Sequence, residues 1–233
     1  MSTERLERAA AGWRGASAVR QSRRDEGVTW SAYAVFCGLG LASRLLPAVF
    51  LAFVGYGLAF PLVWAWRSHD LAALGWHGRN LGPAVGWGTI GGIGAALATW
   101  LAFGHGLALP PLWPLQVAVG VPIWLLLMSP FQELFFRGWL QPRLEAAHGR
   151  WQGLLLASAA FTLWHAFPPL EGTTTSTLPL ESPLGIAATF ALGLLFGYLL
   201  QRTRNLAAPW LAHALAGIGL VLIGRVTFIT YTP

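Results

Sequence analysis

The sequence predicts an all-α fold, a polytopic transmembrane helix bundle of about seven spans (six to eight). Three observations predict it. The chain of 233 residues is 55% hydrophobic and only 10% charged, with a mean hydropathy of +0.55, whereas a soluble domain carries about 25% charge. Charge-free windows recur at the length of a membrane crossing, which is about 20 residues at 1.5 Å rise through a ~30 Å hydrocarbon core. The arginines fall almost wholly in alternate connections between those windows. A surface this poor in charge would not keep a monomer dissolved. An ordinary cytosolic enzyme, a disordered chain and a secreted disulfide scaffold are therefore excluded.

Taken in order, residues 1–27 are polar and hold six Arg and four acids. Leu6 and Ala9–Ala11 are spaced for a short amphipathic helix on the membrane surface. The basic stretch is long and no small-residue cleavage site follows a short apolar core, so the first apolar run is expected to stay as a signal anchor. Residues 28–233 read as one transmembrane domain. Its windows are Gly27–Ser43 with 17 residues and Leu45–Trp66 with 22, then Asn80–Gln132 with 53. The 53-residue window accommodates two spans with a turn at Gly104–Pro114. Trp151–Leu170, Ser182–Gln201 and Asn205–Gly224 follow with 20 each. The total is seven, or six if the first two windows form a re-entrant pair.

With the N-terminus inside, seven spans put residues 1–27, 67–80, 137–150 and 202–204 on the cytoplasmic side, and these hold 13 of the 15 Arg. That asymmetry is the one the positive-inside rule predicts. The 169–183 connection, with Thr173–Ser176, is an outer loop carrying Glu171 and Glu181 and no Arg. Because the Arg residues are spread between apolar runs rather than gathered on a face, nucleic acid is not an expected partner. Arginine without lysine points to a high-GC genome, and with it to a bacterial inner membrane. Of the 13 Trp, Trp64, Trp66, Trp76, Trp139, Trp151 and Trp210 lie near span ends and predict an interfacial belt. The pairs Gly88/Gly92 and Gly193/Gly197 predict close helix approach. A single cysteine, Cys37 in an apolar run, excludes an intramolecular disulfide and a multi-cysteine metal site.

Ionisable groups inside a span cost ~2.5–3.5 kcal/mol each and mark functional sites by default. Few candidates occur, and they group. Gln132, Glu133 and Arg137 follow the fourth span, His165 lies in the fifth and His213 in the seventh. Glu133 and Arg137 are i and i+4 and share a helix face, which fits a neutralising ion pair as well as a site. Pro130, just before them, predicts a kink or a fresh helix start. One carboxylate and two histidines on three helices converge in a bundle interior. Such a set activates water by general base catalysis or binds zinc through two His and one Glu, the less favoured alternative. His-Glu-x-x-His, the usual zinc-peptidase run, does not occur.

The order Gln132-Glu133-x-x-x-Arg137-Gly138, then Phe161-x-x-x-His165, then His213 within Pro209-Trp210-Leu211-Ala212-His213-Ala214-Leu215 resembles the CPBP family, the CAAX proteases and bacteriocin-processing enzymes also called Abi. The resemblance covers about residues 125–220. It implies an all-helical intramembrane endopeptidase of glutamate type that uses no cofactor. In the family pattern Glu-Glu-x-x-x-Arg, the first Glu works with the second-motif histidine to activate water. The final His-x-x-x-Asn faces the oxyanion. Carried over, His165 holds the water, His213 faces the oxyanion, and Glu133 and Arg137 form a supporting pair.

Two positions depart from that pattern, Gln132 in place of the first Glu and Gly217 in place of the Asn. An amide orients a water but cannot take its proton, and glycine has no side-chain donor. Glu133, about 100° round the helix, replaces the base only if the helix turns; otherwise a histidine serves. The expected substrate is the C-terminal or membrane-anchor region of another membrane-associated or lipidated protein, met within the lipid bilayer. A pseudoprotease that binds such a partner without cutting it is the second reading. A proton-coupled transporter component is the third, although the chain lacks the internal repeat of most transporters. The sequence sets no oligomeric state.

Overall fold

Each charge-free window becomes a helix in the computed structural model, which describes residues 23–104, 109–167 and 182–229. The helices are α1 (Arg23–Leu45), α2 (Val49–Arg67), α3 (Leu81–Phe103), α4 (Trp113–His148), α5 (Arg150–Trp164), α6 (Pro183–Thr203) and α7 (Ala207–Leu222). No strand occurs among the described residues. The fold class is therefore the predicted one. Four helices are long and apolar enough to cross a membrane: α2, α3, α4 and α6. Helix α1 has the length but opens on Arg23-Arg24-Asp25-Glu26. The expected surface helix near Leu6, the tip of the 104–114 turn and the Thr173–Ser176 loop lie outside the described residues.

Local chemistry ends and joins these helices. Between α2 and α3 the chain makes one 3-10 turn at Leu71–Leu74, where Asp70 accepts the Ala73 N–H at 3.0 Å. Gly75 closes that turn at φ 76, in the left-handed region that glycine enters without strain. Ser182 caps α6 by accepting the Gly185 N–H at 3.0 Å, with Pro183 in the first helical position. Asn205 starts α7 by accepting the Ala207 N–H at 2.9 Å. Its amide also donates to the His77 and Arg79 carbonyls at 2.8 Å each, tying the α2–α3 connection to the α6–α7 turn.

The structure revises three expectations. Residues 137–148, read as a cytoplasmic connection, continue α4, which runs unbroken for 36 residues. Pro130 neither starts nor ends it. The chain instead widens into π-turns at Trp124–Met128 and Leu134–Leu140, in which Ser129 N–H bonds to the Trp124 carbonyl and Gln141 N–H to that of Phe136. A proline removes one i→i−4 bond, and a π-turn absorbs the misfit without breaking the helix. Second, α5 is only 15 residues long, about 22 Å at 1.5 Å per residue, so His165 stands in the turn after the helix and not within a span. Third, Trp139 is fully buried among Phe60, Trp64 and Phe135 and belongs to the core, not to an interfacial belt.

Small residues set the packing around the future site. Gly88 and Gly92 on α3 lie directly against Ala208 and Ala212 on α7, so a Cβ at either would strike the α7 backbone. Gly219 meets Ala96 in the same way. Gly193 and Gly197 on α6 face Ser158 and Leu154 of α5. On the other flank an aromatic cluster fills the space between α1, α2, α4 and α5. In it Phe36 stacks on Phe135 at 4.2 Å and on Trp164 at 5.6 Å.

Candidate active site

The candidate residues come from four elements: Gln132, Glu133 and Arg137 from α4, Phe161 and His165 from α5 and its C-terminal turn, Gly193 from α6, and His213 and Gly217 from α7. Between them lies a cavity of about 220 Å³. Its wall is apolar apart from a few groups: Gln132, His165, His213, Thr99, Thr189 and the indoles of Trp124 and Trp164. Gln132, Phe161, His165, His213 and Gly217, all singled out in the sequence, border it.

Glu133 and Arg137 do not. Glu133 is fully buried behind the wall, and Arg137 is 1% exposed. The carboxylate accepts from Arg137 Nη1 at 3.3 Å, with Arg137 Nε also 3.3 Å from its other oxygen. It further accepts from His213 Nδ1 at 2.7 Å. Arg137 donates onward to the Gly193 carbonyl at 3.2 Å and lies 4.2 Å from the Phe161 ring centre. One turn on, Gln141 donates to the Gly197 carbonyl at 3.1 Å. Two glycines one turn apart thus let α4 reach the α6 backbone with two polar side chains. The expected i, i+4 pair is present. The turn of Glu133 toward the cavity, required if it is to act on water, is absent, because Arg137 and His213 hold its carboxylate away.

Both histidines have one nitrogen committed. His165 Nδ1 lies 2.7 Å from the Phe161 carbonyl, which only accepts, so this nitrogen carries the proton. In the neutral ring Nε2 then keeps its lone pair. His213 likewise gives Nδ1–H to Glu133, and its ring stacks on Phe196 at 4.8 Å. The Phe161 ring stands between the two, 4.5 Å from His165 and 5.8 Å from His213. Gln132 is 2% exposed and its carbonyl oxygen has no hydrogen-bond partner. A buried unpaired acceptor costs about 1–3 kcal/mol, so this one is suited to a water or a substrate N–H.

Two neighbours of the site escaped the sequence reading. Arg44, one of the two arginines outside the cytoplasmic connections, donates from Nε to the Phe167 carbonyl and from Nη2 to the Ala166 carbonyl, both at 2.9 Å. The last carbonyls of α5 are taken by the turn that follows, Thr162 by His165 N–H, Leu163 by Ala166 N–H and Trp164 by Phe167 N–H, and Arg44 satisfies the next two carbonyls, directly after His165. Its signal was an arginine alone between two apolar windows. The second is Trp124, whose ring lies 5.7 Å from His213 and whose Nε1–H has no partner. A Cβ on Gly217 would overlap its ring atoms Cδ2 and Cε3. The indole therefore fills the space that a side chain at position 217 would need. Gly217→Asn is accordingly expected to lower stability by ~1–3 kcal/mol through overpacking. Combining it with Trp124→Ala should recover the folded yield. Fluorescence-detected size exclusion in detergent measures both, and a well-folded Gly217→Asn single variant would contradict the packing.

Among the described residues no three His, Cys, Asp or Glu side chains are grouped to hold a metal ion. Compared with known protein families, residues 113–218 match the one described as type II CAAX prenyl endopeptidase Rce1-like. The matched stretch runs from the start of α4 into α7 and contains every candidate residue named above except Arg44. No curated protein and no solved structure matches the chain.

Proposed function

Since residues 113–218 match the Rce1-like type II CAAX prenyl endopeptidase family, we propose that this chain is an intramembrane endopeptidase with a variant catalytic set. It acts on the C-terminal or membrane-anchor region of a membrane-associated protein. It resides in a bacterial inner membrane with its N-terminus in the cytoplasm. The observation that carries this reading is the joint placement of Gln132, His165 and His213 on one apolar cavity.

In this reading the Gln132 carbonyl accepts one O–H of the attacking water, and His165 Nε2 takes the other proton as the C–O bond forms. The scissile carbonyl becomes a tetrahedral oxyanion beside His213, and the free Trp124 Nε1–H is its donor, since His213 gives its Nδ1–H to Glu133. His165 then passes its proton to the departing amine nitrogen as the C–N bond breaks. Glu133 and Arg137 position rather than react: Glu133 fixes the His213 ring, and Arg137 fixes Glu133 against α6. No cofactor enters these steps.

A specific observation favours the second reading, a binding pseudoprotease, because an amide stands where the family pattern has its first carboxylate. Proteoliposomes carrying a panel of C-terminally anchored membrane proteins discriminate the two. For a working enzyme, wild type cleaves and Gln132→Glu cleaves faster by about tenfold or more, within the usual 10²–10⁴-fold range of a positioned base. If wild type is inert and only Gln132→Glu cuts, the chain is a pseudoprotease.

A further inference from the structure

Beyond α7 the chain turns back onto the cavity. Val226 is fully buried and, with Phe228, lines the cavity wall beside Trp124. The backbone there is held by one side chain of α4. Gln116, 2% exposed, accepts from Phe228 N–H at 2.8 Å and from Ile229 N–H at 3.1 Å, and donates to the Ile229 carbonyl at 2.7 Å. Gly120, one turn further, leaves room for the Phe228 ring: a Cβ there would lie 3.1 Å from Phe228 Cδ2. The amide of Gln116 thus pairs with both the N–H and the C=O of a single residue. Such pairing grips a main chain without regard to sequence, while the cavity takes the apolar side chains beside it.

We infer that Gln116, Gly120 and Trp124 form the docking groove for an apolar polypeptide segment of the substrate, and that the chain's own Val226–Ile229 occupies this groove as an internal competitor. The identity of the outside segment rests on the peptidase reading above. The occupant argues for it: a polypeptide with apolar residues at 226 and 228 is already seated there, its backbone caught by an amide buried in the otherwise apolar stretch Trp113–Met128 of α4. A tethered occupant acts at a high effective concentration, so the apparent affinity for any outside segment falls by the fraction of time the groove is free.

The test uses the full chain in nanodiscs and a short apolar peptide bearing a photoreactive diazirine, with covalent capture as the readout. Phe228→Ala leaves the Gln116 amide in place and loosens the internal occupant. Gln116→Met keeps the side-chain length but removes the amide that grips either occupant. Phe228→Ala is expected to raise peptide capture by about tenfold, the factor being set by the free fraction of the groove, and adding Gln116→Met to it is expected to abolish that rise. Capture by Phe228→Ala no higher than wild type, in protein that elutes as wild type does, or a rise that survives Gln116→Met, overturns the proposal and makes Val226–Ile229 a fixed wall. Raised capture without cleavage of the peptide, or of any anchored protein, would leave the groove standing and sink the peptidase reading instead.

Discussion

His165→Ala is expected to lower the cleavage rate by about 10²–10⁴-fold, the usual contribution of a positioned general base, without unfolding the bundle. The two halves of this expectation have separate grounds. The neutral imidazole leaves its Nε2 lone pair free, because its Nδ1–H is given to the Phe161 carbonyl; His213 shares that tautomer, but its Nδ1–H is held by the Glu133 carboxylate. It stands in a turn held from outside by Arg44, through the Ala166 and Phe167 carbonyls. Removing the ring therefore leaves the backbone bonds of that turn in place. Single-turnover cleavage in proteoliposomes reads the first half, and the thermal midpoint in detergent reads the second. A variant that cleaves at the wild-type rate would remove His165 from the chemistry. A variant that fails to fold would make it a structural residue.

Much of this site was legible in the sequence, because membrane helices announce their polar exceptions. Gln132, His165 and His213 were conspicuous as polar groups in apolar surroundings, and all three border one cavity. Helix number was equally legible, since every charge-free window holds a helix. Helix ends were not. Arg137 looked like the end of a span because a lone charge does not enter the hydrocarbon. In the fold it is neutralised by Glu133 one turn earlier and α4 continues to His148. The window at 151–170 looked long enough to cross, yet its helix stops at Trp164. Pro168 disfavours helical backbone at Phe167, and Arg44 takes the Ala166 and Phe167 carbonyls that a continuing helix would bond further along. The groups contributed from far away in sequence were the least legible. Gln116 pairs with residues more than a hundred positions later, and only tertiary structure reveals that its partner is a main chain.

The largest effect on stability is expected at Arg137. Arg137→Met keeps the apolar stem but leaves the Glu133 carboxylate fully buried without its cation, and breaking a buried pair from one side costs ~3–5 kcal/mol. Glu133→Leu should cost about as much for the converse reason, since it strands the guanidinium and deprives His213 Nδ1 of its acceptor at 2.7 Å. The informative variant is the double one. With both charges gone no ion remains unpaired, and well-packed apolar replacements for a buried pair are often neutral or better. The double variant is thus expected to lose less than the sum of the singles, with a coupling of 0.5–3 kcal/mol typical of contacting residues. It should still be impaired in cleavage, because nothing then orients His213. Thermal midpoints of the four proteins in one detergent give the coupling. Strict additivity would mean that the pair, although 3.3 Å apart, contributes nothing as a pair, and that α4 is held against α6 by Arg137's bond to Gly193 and by packing alone.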